Sequence, residues 1–225
     1  QHSRAILKRL VEDRRKSSSR HDDLLDMLLD AKYDDGSSMD ENQLVDEILI
    51  LFAAGHETTS NALTFICELL ARNPESQVKI LEEIHKIKSE SNDSMYWINN
   101  ASYAKLVIEE SMRLYPPAYF IDRVNIEEES FKGMILPKGS NLLFSVYEIH
   151  RHPDFWKNPE AFIPERFLEE GVKFSNNYFP FGAGPRMCIG NNFAMYEMIL
   201  TIIALVEQFE IMEKKEPIHI KPLIT

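Results

Sequence analysis

Phe181-Gly182-Ala183-Gly184-Pro185-Arg186-Met187-Cys188-Ile189-Gly190 sets one cysteine in a glycine-rich loop that leads straight into an apolar segment. Phe181, Gly184, Arg186, Cys188 and Gly190 fit the pattern F-x-x-G-x-R-x-C-x-G. Gly184 and Gly190 free the backbone for turns and for close approach to a flat macrocycle. Arg186 brings a fixed charge and several donors suited to a haem propionate. The N-terminus of the following helix places partial positive charge toward the sulfur and favours the thiolate, the metal-binding form. A thiolate held this way can serve as the axial ligand of a haem iron. A lone cysteine at a loop–helix junction is more often a buried structural residue, but five matched positions in ten outweigh that reading.

Three further stretches carry chemistry. Ala53-Ala54-Gly55-His56-Glu57-Thr58-Thr59-Ser60 interrupts a long helical run with two consecutive β-branched threonines, which are poor helix-interior residues. A threonine hydroxyl bonded to a carbonyl one turn back opens a helix, so a local groove is expected here. His56-Glu57 does not begin a zinc-protease motif, because Ser60 stands where the second histidine is required. Glu110-Ser111-Met112-Arg113 puts opposite charges on one helix face at i,i+3. Glu12 and Arg15 share that spacing and read as a solvated salt bridge; Glu110 differs in sitting in an apolar helix followed by Leu114-Tyr115-Pro116-Pro117. Pro164-Glu165-Arg166-Phe167 adds a third charge in a later loop.

In this order, the four motifs resemble the cytochrome P450 family of haem-thiolate monooxygenases. The resemblance covers essentially the whole chain but only the C-terminal half of the family fold. It implies that residues 1–225 form the C-terminal portion of a single such domain whose N-terminal half is absent. By the same resemblance, Cys188 ligates the iron of haem b through its thiolate. Arg186, Phe181, Gly182, Arg123 and Ala54 lie at the cofactor, with the two arginines on propionates. Family members that bond covalently to haem carry an acidic residue where Ala54 stands, so covalent attachment is not implied. Thr58 would hydrogen-bond oxygen above the iron, and Glu57 would relay protons from solvent. Glu110, Arg113 and Arg166 would form a buried ion network that anchors the loop before the cysteine, a structural role. Ala118, Tyr119 and Phe120 would line the substrate pocket. His150 and His152 are not assigned as iron ligands.

The activity this implies is insertion of one oxygen atom of O2 into a lipophilic organic substrate. Electrons would come from a redox partner: a ferredoxin, a flavodoxin or a reductase. A haem-thiolate peroxygenase, isomerase or dehydratase is the alternative, disfavoured by the Glu57-Thr58 pair. A non-catalytic fragment, lacking half of the haem pocket and binding haem poorly, is the other.

The composition agrees with this. At 225 residues the chain can bury a sizeable core. A net charge of −11 argues against a nucleic-acid partner. Two cysteines, Cys67 and Cys188, form no disulfide framework and point to a reducing compartment. No apolar run reaches spanning length. The location expected is cytoplasmic, or membrane-associated facing a reducing compartment, with the cytoplasm favoured.

The fold class expected is mainly α with a small antiparallel sheet. Gln1 to Arg15 reads as a basic helix and Lys16 to Arg20 as a loop. Leu24, Leu25, Leu28 and Leu29 give helical spacing over Asp22 to Ala31, before a turn at Gly36. Ser38-Met39-Asp40-Glu41 fits a capping box for a helix running to Arg72, about 50 Å at about 1.5 Å per residue. Asn73 is expected to cap the next helix, with Pro74 at its first position, and that helix fades over Ser89 to Ser94. Ala101 to Leu114 reads as a helix, Arg123 to Phe144 as the sheet and Asp154 to Phe179 as a long ordered loop. Ile189 to Phe209 is the last helix, and the chain ends at Thr225 on what reads as the start of a strand.

Overall fold

The computed structural model describes residues 2–17, 19–169, 171–173, 175–213 and 220. The strand start expected near Thr225 lies outside the described residues. The chain divides into two units, Gln1–Glu57 and Thr58–Thr225, with the division inside the longest helix.

The first unit contains α1 (His2–Lys16), α2 (Leu24–Asp30) and the start of α3 (Glu41–Arg72). Asp23 caps α2 by accepting from the Asp26 amide, and Arg14 closes the corner with hydrogen bonds of 2.8 Å to both Asp23 and Asp26. Glu12 pairs with Lys16 at 3.7 Å, not with Arg15 as its E-x-x-R spacing suggested. The cap of α3 also differs from expectation. Asp40, not Ser38, accepts the Gln43 amide at 3.0 Å. Ser38 is still extended, bridged to Lys32, so the helix cannot begin until two residues later.

In the second unit the remainder of α3 packs with α4 (Pro74–Glu90), α5 (Ser94–Asn100), α6 (Ser102–Leu114) and α8 (Asn191–Gln208). Ile66, Leu70, Ile80, Ile84, Val107, Ile108, Ile199 and Ile202 form the centre of this core. Each such side chain contributes about 1.5–3 kcal/mol on burial. α3 is unbroken from Glu41 to Arg72, so the opening expected at Thr58-Thr59 does not occur. Thr59 is buried, and packing of that helix face overrides the low propensity of the threonine pair. Asn73 is the N-cap residue of α4 and its carbonyl accepts the Ser76 amide at 2.9 Å, but its side chain makes no cap bond; it donates to the Leu69 carbonyl at 2.7 Å and finishes α3. α5 was not anticipated. It is started by Asp93, whose side chain accepts from Met95.

Instead of one sheet there are two antiparallel ladders. β1 (Phe120–Val124) pairs with β4 (Asn141–Ser145), and β2 (Glu129–Phe131) pairs with β3 (Met134–Leu136). The inner hairpin turns at Lys132-Gly133, both in the left-handed region. Buried Asn125 ties the two together, donating to the carbonyls of Glu127, Leu136 and Pro137. The short helix α7 (Val146–Ile149) follows β4. A long loop then carries a 3-10 turn at Pro164–Leu168 and a small aromatic cluster of Trp156, Phe167 and Tyr178. No helix among the described residues is long and apolar enough to cross a membrane.

Candidate functional site

α6 is the platform on which the loop before Cys188 is built. Glu110 and Arg113 are both fully buried on it, one turn apart. Arg113 forks onto Glu110 with bonds of 2.7 and 2.9 Å. Its other donors reach the carbonyls of His150, Pro159 and Ala161. Arg166 comes from the 3-10 turn, 56 residues away in sequence, and donates to Glu110 at 3.0 Å. The Ile163 amide adds a further bond to Glu110 at 2.8 Å. Two buried guanidinium groups thus share one buried carboxylate, and their remaining protons are spent on loop carbonyls. Trp156 stacks beneath both, at 5.2 Å from Arg113 and 6.0 Å from Arg166.

Sequence reasoning left out a second anchor beside this one. Glu109, the neighbour of Glu110, is buried and accepts from the Tyr178 hydroxyl at 2.5 Å and from Lys173 at 2.6 Å. Burial first, and then the Glu109 charge, holds the Tyr178 phenol well above its ordinary pKa, so it stays a donor. His150, fully buried, accepts the Phe179 amide through Nε2 at 3.0 Å. No local spacing marks these residues. Their only sequence signal is polar or aromatic side chains in a loop that is otherwise hard to assign.

From Phe179 the chain enters the cysteine loop. The Gly182 amide donates to Phe179 at 2.9 Å, the Met187 amide to Gly184 at 3.0 Å and the Cys188 amide to Phe181 at 2.9 Å. Gly182 and Gly184 have φ of +74° and +72°, a region that side chains rarely adopt. A Cβ at Gly182 would lie 3.8 Å from Ile121 on β1, so this loop rests against that strand. Arg123 is two residues beyond Ile121 and so projects from the same strand face; it is exposed and donates to the Asp122 carbonyl at 2.7 Å. A Cβ at Gly190 would lie 3.9 Å from the Cys188 sulfur.

Cys188 is a free, exposed thiol. Arg186, beside it in the 3-10 turn Gly184–Arg186, is also exposed. Met187, Phe193 and Ile189 are exposed, Ile189 at 93%. α8 begins three residues after the sulfur, with Gly190 as its cap and the Ala194 amide returning to the Gly190 carbonyl. Sulfur, cation and uncovered apolar groups are therefore presented on one short segment. These residues fit a flat, apolar, metal-centred ring bearing carboxylates.

The remaining expected residues are these. Ala54 and Glu57 are on α3 in the first unit, Ala54 exposed and Glu57 half-buried; Thr58 opens the second unit and is exposed. Ala118 is exposed ahead of β1, where Tyr119 and Phe120 meet edge-to-face at 5.0 Å. Phe181 is half-buried and packs on the helical core.

The second unit thus combines a helical core, an E-x-x-R helix and a glycine-turned cysteine loop. The cytochrome P450 family model matches residues 2–224, and the chain belongs to that family. It is 32% identical over 211 residues to the cyclooctat-9-en-7-ol 5-monooxygenase of Streptomyces melanosporofaciens, covering 92% of this chain and 46% of the relative. It is 36% identical over 196 residues to human (Homo sapiens) cytochrome P450 4A11, covering 86% of this chain and 38% of that protein. The taurochenodeoxycholic 6 alpha-hydroxylase of Sus scrofa is 35% identical over 195 residues, covering 85% and 38%. Among solved structures, retinoic acid-bound cyanobacterial CYP120A1 superposes with a TM-score of 0.84 at 32% identity, over 92% of this chain and 48% of that one. The chain thus spans about half the length, or less, of the relatives it matches. The family implies haem with cysteine thiolate ligation.

Proposed function

We propose that this chain is the C-terminal portion of a single cytochrome P450 domain, and that the whole protein is a haem-thiolate monooxygenase. The observation that carries the reading is the exposed Cys188 thiol, set by glycine turns beside Arg186 and uncovered apolar groups, in a chain that matches the family along nearly its entire length. Haem b, when bound, supplies the redox chemistry that activates O2 and transfers one oxygen atom to the substrate. Cys188 would hold the metal through its thiolate and donate charge to it. Arg186 and Arg123 would hold the propionates, and Phe181, Gly182 and Ala54 would complete the cofactor's surroundings.

Thr58 would pass a proton through its Oγ1, and Glu57 would relay protons to it from solvent. Ala118, Tyr119 and Phe120 contact substrate. The relatives named for cyclooctat-9-en-7-ol and for taurochenodeoxycholic, with the structure bound to retinoic acid, support a lipophilic organic substrate. The electrons come from a ferredoxin, a flavodoxin or a reductase. Free thiols at both Cys67 and Cys188 support a reducing compartment, and our reading is cytoplasmic.

The test is the reduced carbon-monoxide complex of the full-length protein. It should show the red-shifted Soret band of thiolate ligation, and Cys188→His should abolish it with helix content unchanged. Persistence of the band in that variant removes Cys188 as ligand. Thr58→Ala should divert reducing equivalents into peroxide; unchanged coupling removes Thr58 from proton delivery.

A further inference from the structure

We propose that His150 is a positioning residue for the cysteine ligand, joining the buried ion network to the Cys188 loop through both its backbone and its ring. The proposal rests on the haem-thiolate reading of Cys188.

His150 makes two bonds of different kinds. Its carbonyl accepts Arg113 Nη1 at 2.8 Å, which fixes the residue to the Glu110 pair. Its ring Nε2 accepts the Phe179 amide at 3.0 Å. The carbonyl of that same Phe179 takes the Gly182 amide, and the Phe181 carbonyl takes the Cys188 amide. The backbone at Phe179 is therefore gripped at its N–H by His150 and at its C=O by the first turn of the loop. A shift of this backbone would move the Gly182 turn and the carbonyl that receives the ligand's own N–H.

The rest of the ring's surroundings indicate why a histidine stands there. Tyr178, Phe179 and Trp156 enclose it, with centroids at 5.1, 5.4 and 6.4 Å, so its orientation is fixed by packing. Because Nε2 accepts, the ring proton sits on Nδ1. Nδ1 is buried; the Met112 and Arg113 backbone lies beside the ring, but Nδ1 makes no well-aligned hydrogen bond among the described residues. A buried nitrogen so poorly paired is unfavourable, and leucine or phenylalanine would fill the space without it. Packing alone does not account for the imidazole; the bond that Nε2 makes does. Burial, helped by the neighbouring Arg113 and Arg151 charges, keeps the ring neutral near pH 7 and so keeps Nε2 an acceptor. Partners one step behind a metal ligand orient it and tune its hold on the metal.

The experiment compares wild type, His150→Leu and His150→Gln in the full-length, haem-loaded protein. It follows the reduced carbon-monoxide spectrum over time at fixed temperature, with far-UV circular dichroism on the same samples. Leucine should convert the thiolate-type band to the shorter-wavelength form about tenfold faster or more, while helix content holds. Glutamine, whose side-chain carbonyl can accept the Phe179 amide, should restore the rate to within about twofold, because the bond rather than the ring is what matters. A leucine variant that converts at the wild-type rate overturns the proposal. So does a glutamine variant as fast as leucine. If leucine does not fold, His150→Phe takes its place; if neither folds while glutamine does, the role is wholly structural and the proposal is overturned. A wild-type protein without the thiolate band overturns the haem-thiolate reading itself, which the variants alone cannot do.

Discussion

The ion network on α6 and the cysteine loop are joined through His150, yet they are built on opposite principles. In the network every charge is answered from within the chain. Glu110 accepts from Arg113, Arg166 and the Ile163 amide, and Arg113 spends its remaining donors on three carbonyls. All three side chains are buried. The loop, by contrast, is held by a few backbone turns and two left-handed glycines, and it carries Arg186, Met187, Cys188 and Ile189 exposed. The region closed on itself fixes the fold. The region that faces outward holds the residues proposed to carry the chemistry, and it is hydrogen-bonded to the first through His150.

The sharpest way to break this contrast is to unbalance the closed region. Glu110→Gln would leave two buried guanidinium groups without a counter-charge. The expected loss of unfolding free energy is about 3–5 kcal/mol, as for one partner removed from a buried pair. Urea unfolding of the full-length protein checks it. A loss under about 1 kcal/mol, the value of an exposed pair, would mean that the network is solvated in solution.

Of these two regions, the sequence makes legible the parts that local spacing encodes. F-x-x-G-x-R-x-C-x-G and Glu110–Arg113 each lie within one short segment, and both were visible. Glu109–Tyr178 and His150–Phe179 were not, because their partners are 69 and 29 residues apart and no periodicity links them. The start of α3 was misplaced because Ser38 and Asp40 are both good caps, and the bridge from Ser38 to Lys32 decides between them. The Thr58-Thr59 pair predicted an opening from low helix propensity and hydroxyl back-bonding, yet α3 is continuous there and Thr59 is buried. The sheet was expected as one because a strand's register with its partner is invisible in strand propensity.

A smaller effect should appear where the two regions meet. His150 is fully buried, and its pKa is lowered to about 4 from 6.5, first by burial and then by the positive charges of Arg113 and Arg151. Well above pH 6.5 neither folded nor unfolded chain protonates this ring. As pH falls toward 4 the unfolded chain takes up a proton that the folded chain refuses, so stability declines. Between pH 7 and pH 5 the decline should be about 2 kcal/mol. His150→Gln should remove that part of the slope in urea unfolding followed across this window. An unchanged slope would place the titration in another group.

The smallest effects sharpen the contrast within a single kind of substitution. Gly184 lies in the loop at φ +72° and Gly55 lies within α3, and a Cβ at either would meet nothing within 4 Å. Steric contact is thus equal, and only the backbone differs. Gly184→Ala should cost about 1–2 kcal/mol, because an L side chain disfavours the left-handed region. Gly55→Ala should instead gain about 0.5–1 kcal/mol, since alanine suits a helix interior better than glycine. Stability is read from thermal and urea unfolding of the two full-length variants, and their opposite signs are the expectation. A destabilising Gly55→Ala would mean that this stretch of α3 is not regular helix in the folded protein, and the opening expected from its two threonines would then be real.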